Sequence, residues 1–293
     1  MKEVKGISRV CGLIGNPVEH TLSPTIHNYL AERLGIELVY VPFHVETGYL
    51  DQSVKGAFGL NLLGLNVTVP YKTDVLQSLT DIDDLAKRIG AVNTLVRVQD
   101  GYKGYNTDMP GLYRAMENDG VNLKGETILI LGAGGVARAV AMMAADKAKE
   151  IIILNRTIEK AEKIAEEING YMGRKVVIPQ LLEDYKKLQE DKKYLAIQAT
   201  NVGMHPNVED VIIDDPDFYK RIHTGYDLIF NPFETRFMKE VAKQEGLAFN
   251  GLKMLLFQGI IAFELWTGTK VSDELARDTY QILLKETGNL GKE

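Results

Sequence analysis

Runs of branched and aliphatic side chains alternate with stretches of helical periodicity over almost the whole chain, the signature of βαβ units and parallel sheets. In the first half they predict strands near Arg9 to Ile14, Glu37 to Phe43, Gly64 to Val69 and Thr94 to Gln99. Helices are expected near Pro24 to Leu34, Gly48 to Leu60 and Asp84 to Ile89. From Thr127 the pattern restarts: a strand "TILILG", a glycine-rich turn, a helix from Val136 to about Ala148, a strand "EIIILN" and a helix from Ile158 to Ile168. Strands "KVVIP", "YLAIQAT" and "YDLIFNP" follow, and Leu252 to about Lys285 reads as two closing helices. The second unit already has its helices, so these two are expected to return to the first.

Composition fits two such units, since 293 residues with 45% hydrophobic and 25% charged side chains are long for a single core. A net charge of −6 and a pI near 5.5 give no broad positive field, which argues against nucleic acid or an anionic membrane surface as partner. A small molecule is the expected ligand, of a monomer or a homodimer. The lone Cys11 excludes a disulfide framework or cysteine zinc site, and no long apolar run reads as a signal or membrane span. A cytoplasmic protein is expected.

The chemistry starts at "ILILGAGGVARAV", where Gly132, Gly134 and Ala137 have the spacing G-x-G-x-x-G/A between a strand and a helix. Gly132 suits the tight turn, Gly134 lets backbone approach a pyrophosphate, and Ala137 lets the helix lie close to the strand. The second strand of an NAD site usually ends in a carboxylate for the ribose hydroxyls; here it ends "LNRT". Arg156 offers a planar fork to a 2′-phosphate, Thr157 a hydroxyl and Lys160 a further charge, so NADP is expected over NAD. Alternatively Arg156 is a loop arginine and Thr157 a helix cap.

A nicotinamide enzyme also needs a group to move the proton that accompanies the hydride. Four segments in the first half place polar side chains just after a strand: Thr21 and Ser23 in "HTLSPTIH", Thr68 and Lys72 in "NVTVPYK", Asn93 in "GAVNTLV", and Asn106 and Asp108 in "GYNTDMPG". Each has a plainer reading. Ser23 before Pro24 suits a helix N-cap, Asn93, Asn106 and Asp108 suit turns, and Lys72 suits solvent. None of the five histidines joins a nucleophile triad or a metal-ligand spacing, so no metal is expected and lysine and aspartate are left for proton transfer. Gln258 shares a helical face with Met254, Ile261 and Leu265, a buried amide that needs either backbone partners or a hydroxylated ligand.

The motifs "GNPVEHTLSP", "LNVTVPYK", "GAVNTL", "GYNTD", "GAGGVARA", "NRT", "NPFET" and "GLKMLLFQG", in this order over nearly the whole chain, resemble the shikimate dehydrogenase family. The resemblance implies interconversion of 3-dehydroshikimate and shikimate, mostly with NADPH, on the route to chorismate and the aromatic amino acids. It implies an N-terminal α/β substrate-binding domain with a mainly parallel sheet (1–111 and 251–293) and a Rossmann NADP-binding domain (112–250), with C-terminal helices returning to the first domain. Lys72 and Asp108 match the family's catalytic pair, and Thr21, Ser23, Thr68, Lys72, Asn93, Asp108 and Gln258 its substrate contacts. Gly132, Ala133, Gly134, Gly135, Val136, Asn155, Arg156, Thr157 and Lys160 match its NADP site, with Thr200, Gly203, Met204 and Gly251 at the nicotinamide pocket. Thr21 stands where the family usually has serine, Phe230 where most members have tyrosine, and Lys160 where arginine is common. Oxidation of quinate or shikimate with NAD, and a non-catalytic dinucleotide-binding regulator, are the alternative readings.

Overall fold

A computed structural model describes residues 4–291, so the outermost residues of the expected 1–111 and 251–293 spans lie outside the described residues. Two compact units divide the chain: one runs to Leu112 and resumes at Leu255, the other is Tyr113–Met254.

The first unit is built on strands β1 (Arg9–Gly15), β2 (Leu38–His44), β3 (Gly64–Val67), β4 (Asp81–Ile82), β5 (Thr94–Val98) and β6 (Gly101–Tyr105), in the order β2-β1-β3-β5-β6-β4. β1 pairs in parallel with β2 and β3, and β4 with β6, while β5 runs antiparallel to both β3 and β6. Helices α1 (Ser23–Arg33), α2 (Leu50–Gly59) and α3 (Asp84–Ile89) follow their strands, and α4 (Asp108–Asn118) leads out of the unit. A core of Ile14, Val54, Leu65, Val67, Val75, Leu95 and Tyr102 fills one face; each such side chain contributes about 1.5–3 kcal/mol by leaving water.

The second unit is an all-parallel sheet of β7 (Thr127–Leu131), β8 (Glu150–Asn155), β9 (Val177–Leu181), β10 (Tyr194–Gln198), β11 (Ile222–Asp227) and β12 (Leu247–Phe249), ordered β12-β11-β10-β7-β8-β9. Helices α5 (Gly135–Ala144), α6 (Ile158–Met172), α7 (Pro216–Tyr219) and α8 (Arg236–Lys243) cross over between strands. β7 is buried at every position, as a strand covered on both faces requires. The strand order reverses between β7 and β10, the switch point at which such sheets bind ligands.

The closing helices are α9 (Leu252–Thr267) and α10 (Asp273–Glu286). From Leu255 onward they belong to the first unit, where α10 packs on α1 and Trp266 Nε1 donates to the Leu95 carbonyl at 2.9 Å. Gly64 is required beneath Trp266, since a Cβ there would lie 2.0 Å from the indole nitrogen. His27 of α1 is fully buried in this packing, stacked on Tyr40 at 4.2 Å, and among the described residues neither ring nitrogen meets a hydrogen-bond partner; burial pushes its imidazole down to about 3.

Three elements depart from the pattern. α4 is hidden in sequence by Met109-Pro110-Gly111, yet Pro110 lies in the first turn, where its missing N–H is harmless. A Cβ on Gly111 would lie 2.6 Å from the Gln258 nitrogen, so glycine is what lets α4 and α9 meet. α6 runs on to Met172 because Asn169, which looks like a stop, spends its side chain on the Val176 and Val177 backbone, and Gly173 makes the left-handed cap at φ +62°. The last long strand ends at Asp227 and begins at Ile222, so Leu228, Ile229 and Phe230 lie beyond it. There the buried Asp227 carboxylate accepts from Ile229 N–H (3.0 Å) and Thr235 Oγ1 (2.6 Å) and turns the chain out of the sheet.

Candidate functional site

In the first unit the sheet pairing brings three strand ends together. After β3 the chain turns through Thr68 to Lys72, whose carbonyl accepts from Val92 N–H at 2.8 Å. Asn93 follows immediately, its carbonyl accepting from Val67 N–H (2.8 Å) and its N–H donating to the Tyr105 carbonyl (3.0 Å). Asp108, the first residue of α4, comes just after β6. Main-chain bonds therefore fix the roots of Lys72 and Asn93, and the start of α4 that of Asp108, before any side chain is placed.

The side chains then meet. Lys72 Nζ donates to Asp108 Oδ2 at 2.7 Å and Asn93 Nδ2 to Asp108 Oδ1 at 2.8 Å, so both carboxylate oxygens are engaged. The Asp108 side chain is 17% exposed and that of Lys72 36%, which leaves the ammonium in reach of solvent and of a ligand. Asn93 is 2% exposed and held on its far side by Thr107, whose N–H donates to Asn93 Oδ1 at 2.7 Å. Neither Lys72 nor Asn93 has the plainer role its sequence allows.

The remaining candidates of this unit stand near the same sheet without bonding to the pair. Ser23 is the first residue of α1 and not its cap; Leu22 holds the cap position and no side chain caps the helix. The capping reading of Ser23 is thus corrected: Pro24 already supplies the rigid first turn, and the Ser23 hydroxyl accepts from Thr21 Oγ1 at 3.1 Å while Ser23 N–H donates to Thr21 Oγ1 at 3.2 Å. Thr68 makes no side-chain hydrogen bond among the described residues, and its methyl fills the place a Gly15 side chain would take, 2.3 Å from a Cβ there. Gln258 is buried, its Nε2 donating to the Leu255 carbonyl of its own helix at 2.8 Å, and backbone thus satisfies only its donor end. Asn106 is a turn residue, its side chain spent on the Ala91 carbonyl and Met109 N–H.

In the second unit Gly132 has φ +109° and its N–H donates to the Leu154 carbonyl at 2.9 Å; a Cβ there would lie 2.5 Å from the Thr200 methyl. Gly134 caps α5, and a Cβ on Gly134 or Gly135 would meet nothing within 4 Å. The turn thus leaves an open cradle over a helix N-terminus that carries no acid in its first turn, where backbone N–H groups and the helix dipole favour an anion. Ala133 and Val136 flank it, Val136 exposed.

At the end of β8, Asn155 Nδ2 donates to the Thr157 carbonyl at 2.8 Å and shapes the turn. Thr157 occupies the cap position of α6 with no side-chain cap bond, so its hydroxyl is uncommitted, and the capping reading of Thr157 does not hold. Arg156 and Lys160 are exposed, and neither makes an ion pair among the described residues. Arg156 also lines a cavity of about 520 Å³ walled by Leu181, Leu182, Tyr185, Ile212 and Ile213 together with the acidic Glu183 and Asp214. After β10, the 1%-exposed Gln198 accepts from Thr200 N–H (2.6 Å) and Oγ1 (2.8 Å) and donates to the Val202 carbonyl (2.9 Å). That loop holds Thr200, Gly203 at φ +90° and an exposed Met204. Gly251 packs so closely that a Cβ would lie 2.3 Å from the Leu228 carbonyl oxygen.

Three family models match successive parts of the chain: the shikimate dehydrogenase substrate binding domain over residues 13–95, shikimate / quinate 5-dehydrogenase over 114–196, and the shikimate 5′-dehydrogenase C-terminal domain over 251–279. A shikimate dehydrogenase (NADP(+)) of Methanocaldococcus jannaschii is 41% identical over 92% of this chain and 95% of its own length. The chain belongs to the shikimate dehydrogenase family. A crystal structure of a shikimate dehydrogenase in complex with NADP+ superposes with a TM-score of 0.86 at 38% identity, covering 95% of this chain and 96% of that one. A second, from Listeria monocytogenes with shikimate and NAD, gives a TM-score of 0.88 at 33% identity, covering 97% and 99%. In this family frame Thr21, Ser23, Thr68, Lys72 and Asn93 fall inside the substrate-binding model and Gln258 inside the C-terminal one. The glycine turn and Asn155 to Lys160 fall inside the middle model, while Asp108 and the Thr200 to Met204 loop lie outside all three.

Sequence reasoning passed over Thr94, Thr107 and Asn66, buried polar residues behind Asn93, and Asp227 at the end of β11. Asn66 carried a usable signal: an amide in the middle of the apolar run "LNVTV" must be bonded if that run is a buried strand.

Proposed function

We propose that this protein reduces 3-dehydroshikimate to shikimate with NADPH, and reverses the reaction, on the route to chorismate. The observation that carries the reading is the Lys72–Asp108 pair at 2.7 Å, aligned by Asn93 and open to solvent on its lysine side. A module that only bound a dinucleotide would have no use for such a pair.

NADPH, when bound, supplies the hydride that adds to the carbonyl carbon. Lys72 Nζ gives its proton to the carbonyl oxygen as that oxygen becomes a hydroxyl, and the amine left behind, partly open to solvent, is then reprotonated from water. Asp108 holds Lys72 by one oxygen and, with Asn93, orients the ring hydroxyls of the substrate. Thr21 and Ser23 bind the substrate carboxylate through hydroxyls already turned toward each other, and Thr68 and Gln258 offer their uncommitted hydroxyl and amide oxygen. For the cofactor, Gly132 to Val136 receive the pyrophosphate, and Arg156, Thr157 and Lys160 receive the 2′-phosphate; unpaired cations and the missing acid at the end of β8 favour NADP over NAD. Thr200, Gly203, Met204 and Gly251 serve the nicotinamide end. The single buried cysteine suits the reducing cytoplasm as its compartment.

Mixing the protein with shikimate and NADP tests the reading. Shikimate-dependent formation of reduced cofactor is expected; none, under conditions where the protein is folded, overturns it.

A further inference from the structure

Behind Asn93 the first unit buries four polar side chains that touch neither Lys72 nor Asp108 through a side-chain hydrogen bond: Thr107, Thr94, Asn66 and Tyr40, exposed by 1%, 0%, 4% and 1%. Burying a polar group is costly unless every bond is made, and here the bonds form one connected chain. Tyr40 Oη donates to Asn66 Oδ1 at 2.8 Å, and Asn66 Nδ2 donates to Thr94 Oγ1 at 3.0 Å and to the Asn93 carbonyl at 3.2 Å. Thr94 Oγ1 lies 3.1 Å from Asn93 Oδ1 and 3.0 Å from Thr107 Oγ1. Thr107 Oγ1 in turn accepts from Asn93 Nδ2 at 3.0 Å.

Backbone groups fix which way each amide points. Thr107 N–H can only donate, and it donates to Asn93 Oδ1, so Asn93 must turn its nitrogen toward Asp108. The Asn93 carbonyl can only accept, and it takes Asn66 Nδ2, so Asn66 must turn its oxygen toward Tyr40, whose phenol burial holds in the donating form by raising it well above its ordinary value. The two Asn93 amide protons are then both assigned, one to Thr107 Oγ1 and one to Asp108 Oδ1. Without the Thr107 hydroxyl the amide keeps its polarity from the backbone but loses one of the bonds that set its plane, and one of its two protons is left without an acceptor.

We infer that Thr107, backed by Thr94 and Asn66, is a positioning residue for the reaction: its hydroxyl fixes the plane of Asn93, and through it the place of Asp108 and Lys72. The inference rests on the dehydrogenase reading. A misplacement of about 1 Å in a catalytic group costs up to about 100-fold in rate, so a lost bond here is visible in kinetics before it is visible in the fold.

The test compares Thr107→Val, which keeps shape and loses the hydroxyl, with Thr107→Ser, which keeps the hydroxyl. Wild-type turnover of shikimate is measured first, and its absence sinks the dehydrogenase reading rather than this one. With an active wild type, Thr107→Val is expected to lose about 10-fold or more in kcat, with KM for NADP within about twofold of wild type, and Thr107→Ser to recover most of the loss. Calorimetric binding of shikimate to the cofactor-free protein should weaken in Thr107→Val and recover in Thr107→Ser. In an Asp108→Asn background the further effect of Thr107→Val should vanish, because both act through one carboxylate. Wild-type kcat in Thr107→Val, equal losses in the two variants, or full additivity with Asp108→Asn overturns the inference. If Thr107→Val does not fold, Thr94→Val and Thr94→Ser are read by the same criteria.

Discussion

Lys72 holds Asp108 Oδ2 at 2.7 Å from a turn whose carbonyl is tied to Val92, the residue just before Asn93. The pair is thus set by main chain on the lysine side and by the start of α4 on the aspartate side, and its geometry does not depend on two long side chains finding each other.

Lys72→Ala is expected to lower kcat by about 10²- to 10⁴-fold, the usual worth of a positioned acid, with a smaller change in shikimate KM. Asp108→Asn should lower kcat and raise shikimate KM together, because an amide that replaces the carboxylate cannot accept at both oxygens from Lys72 and Asn93. Steady-state kinetics of the two variants checks both; near-normal turnover in Lys72→Ala removes it from the chemistry.

Arg156→Ala should raise KM for NADP about 10-fold or more, on the scale of a charged hydrogen bond of about 1.5–3 kcal/mol, while leaving KM for NAD within about twofold. Equal losses with both cofactors would take Arg156 away from the 2′-phosphate.

These residues show how far the sequence could be read. The strand, glycine turn and helix around Gly132 were legible because their chemistry is local: a turn, a helix end and a second strand within one continuous stretch. The site of the first unit was legible only as a set of polar residues after strands, since its geometry comes from β3, β5 and β6 lying side by side. Hairpin partner β6 and helix α4 stayed hidden, the one behind Gly101 and Gly104, the other behind Pro110 and Gly111, because close packing rather than local propensity selects those glycines. Asp227 was unreadable for a related reason: a carboxylate inside "YDLIF" looks like an interruption, and only the tertiary partner Thr235 makes it a strand terminus.

His27 should make the first unit acid-sensitive. Its imidazole, pushed down to about 3 by burial, stays neutral in the folded protein while an unfolded one takes a proton below about 6.5. Stability is therefore complete above pH 6.5 and falls as pH drops from there toward 3, by at most about 1.4 kcal/mol per pH unit. His27→Phe, if it folds, should flatten that limb in denaturant titrations across this range; an unchanged slope contradicts the account.

Asp227 should act in the opposite sense on the second unit. Burial raises its carboxyl from 3.8 to about 7, so the folded state keeps a proton that the unfolded chain releases. Stability then declines as pH rises from about 4 to 7 and levels off above. Asp227→Asn, which can still accept from Ile229 N–H, should remove this decline, and a variant with the wild-type slope would show that Asp227 does not carry it.

The central claim is tested most directly by kcat/KM for shikimate and for quinate, each with NADP and with NAD. The account predicts shikimate with NADP as the best of the four combinations, by about tenfold or more over shikimate with NAD, as one charged contact of about 1.4 kcal/mol or more requires. Faster turnover of quinate than of shikimate, or a preference for NAD, would contradict it.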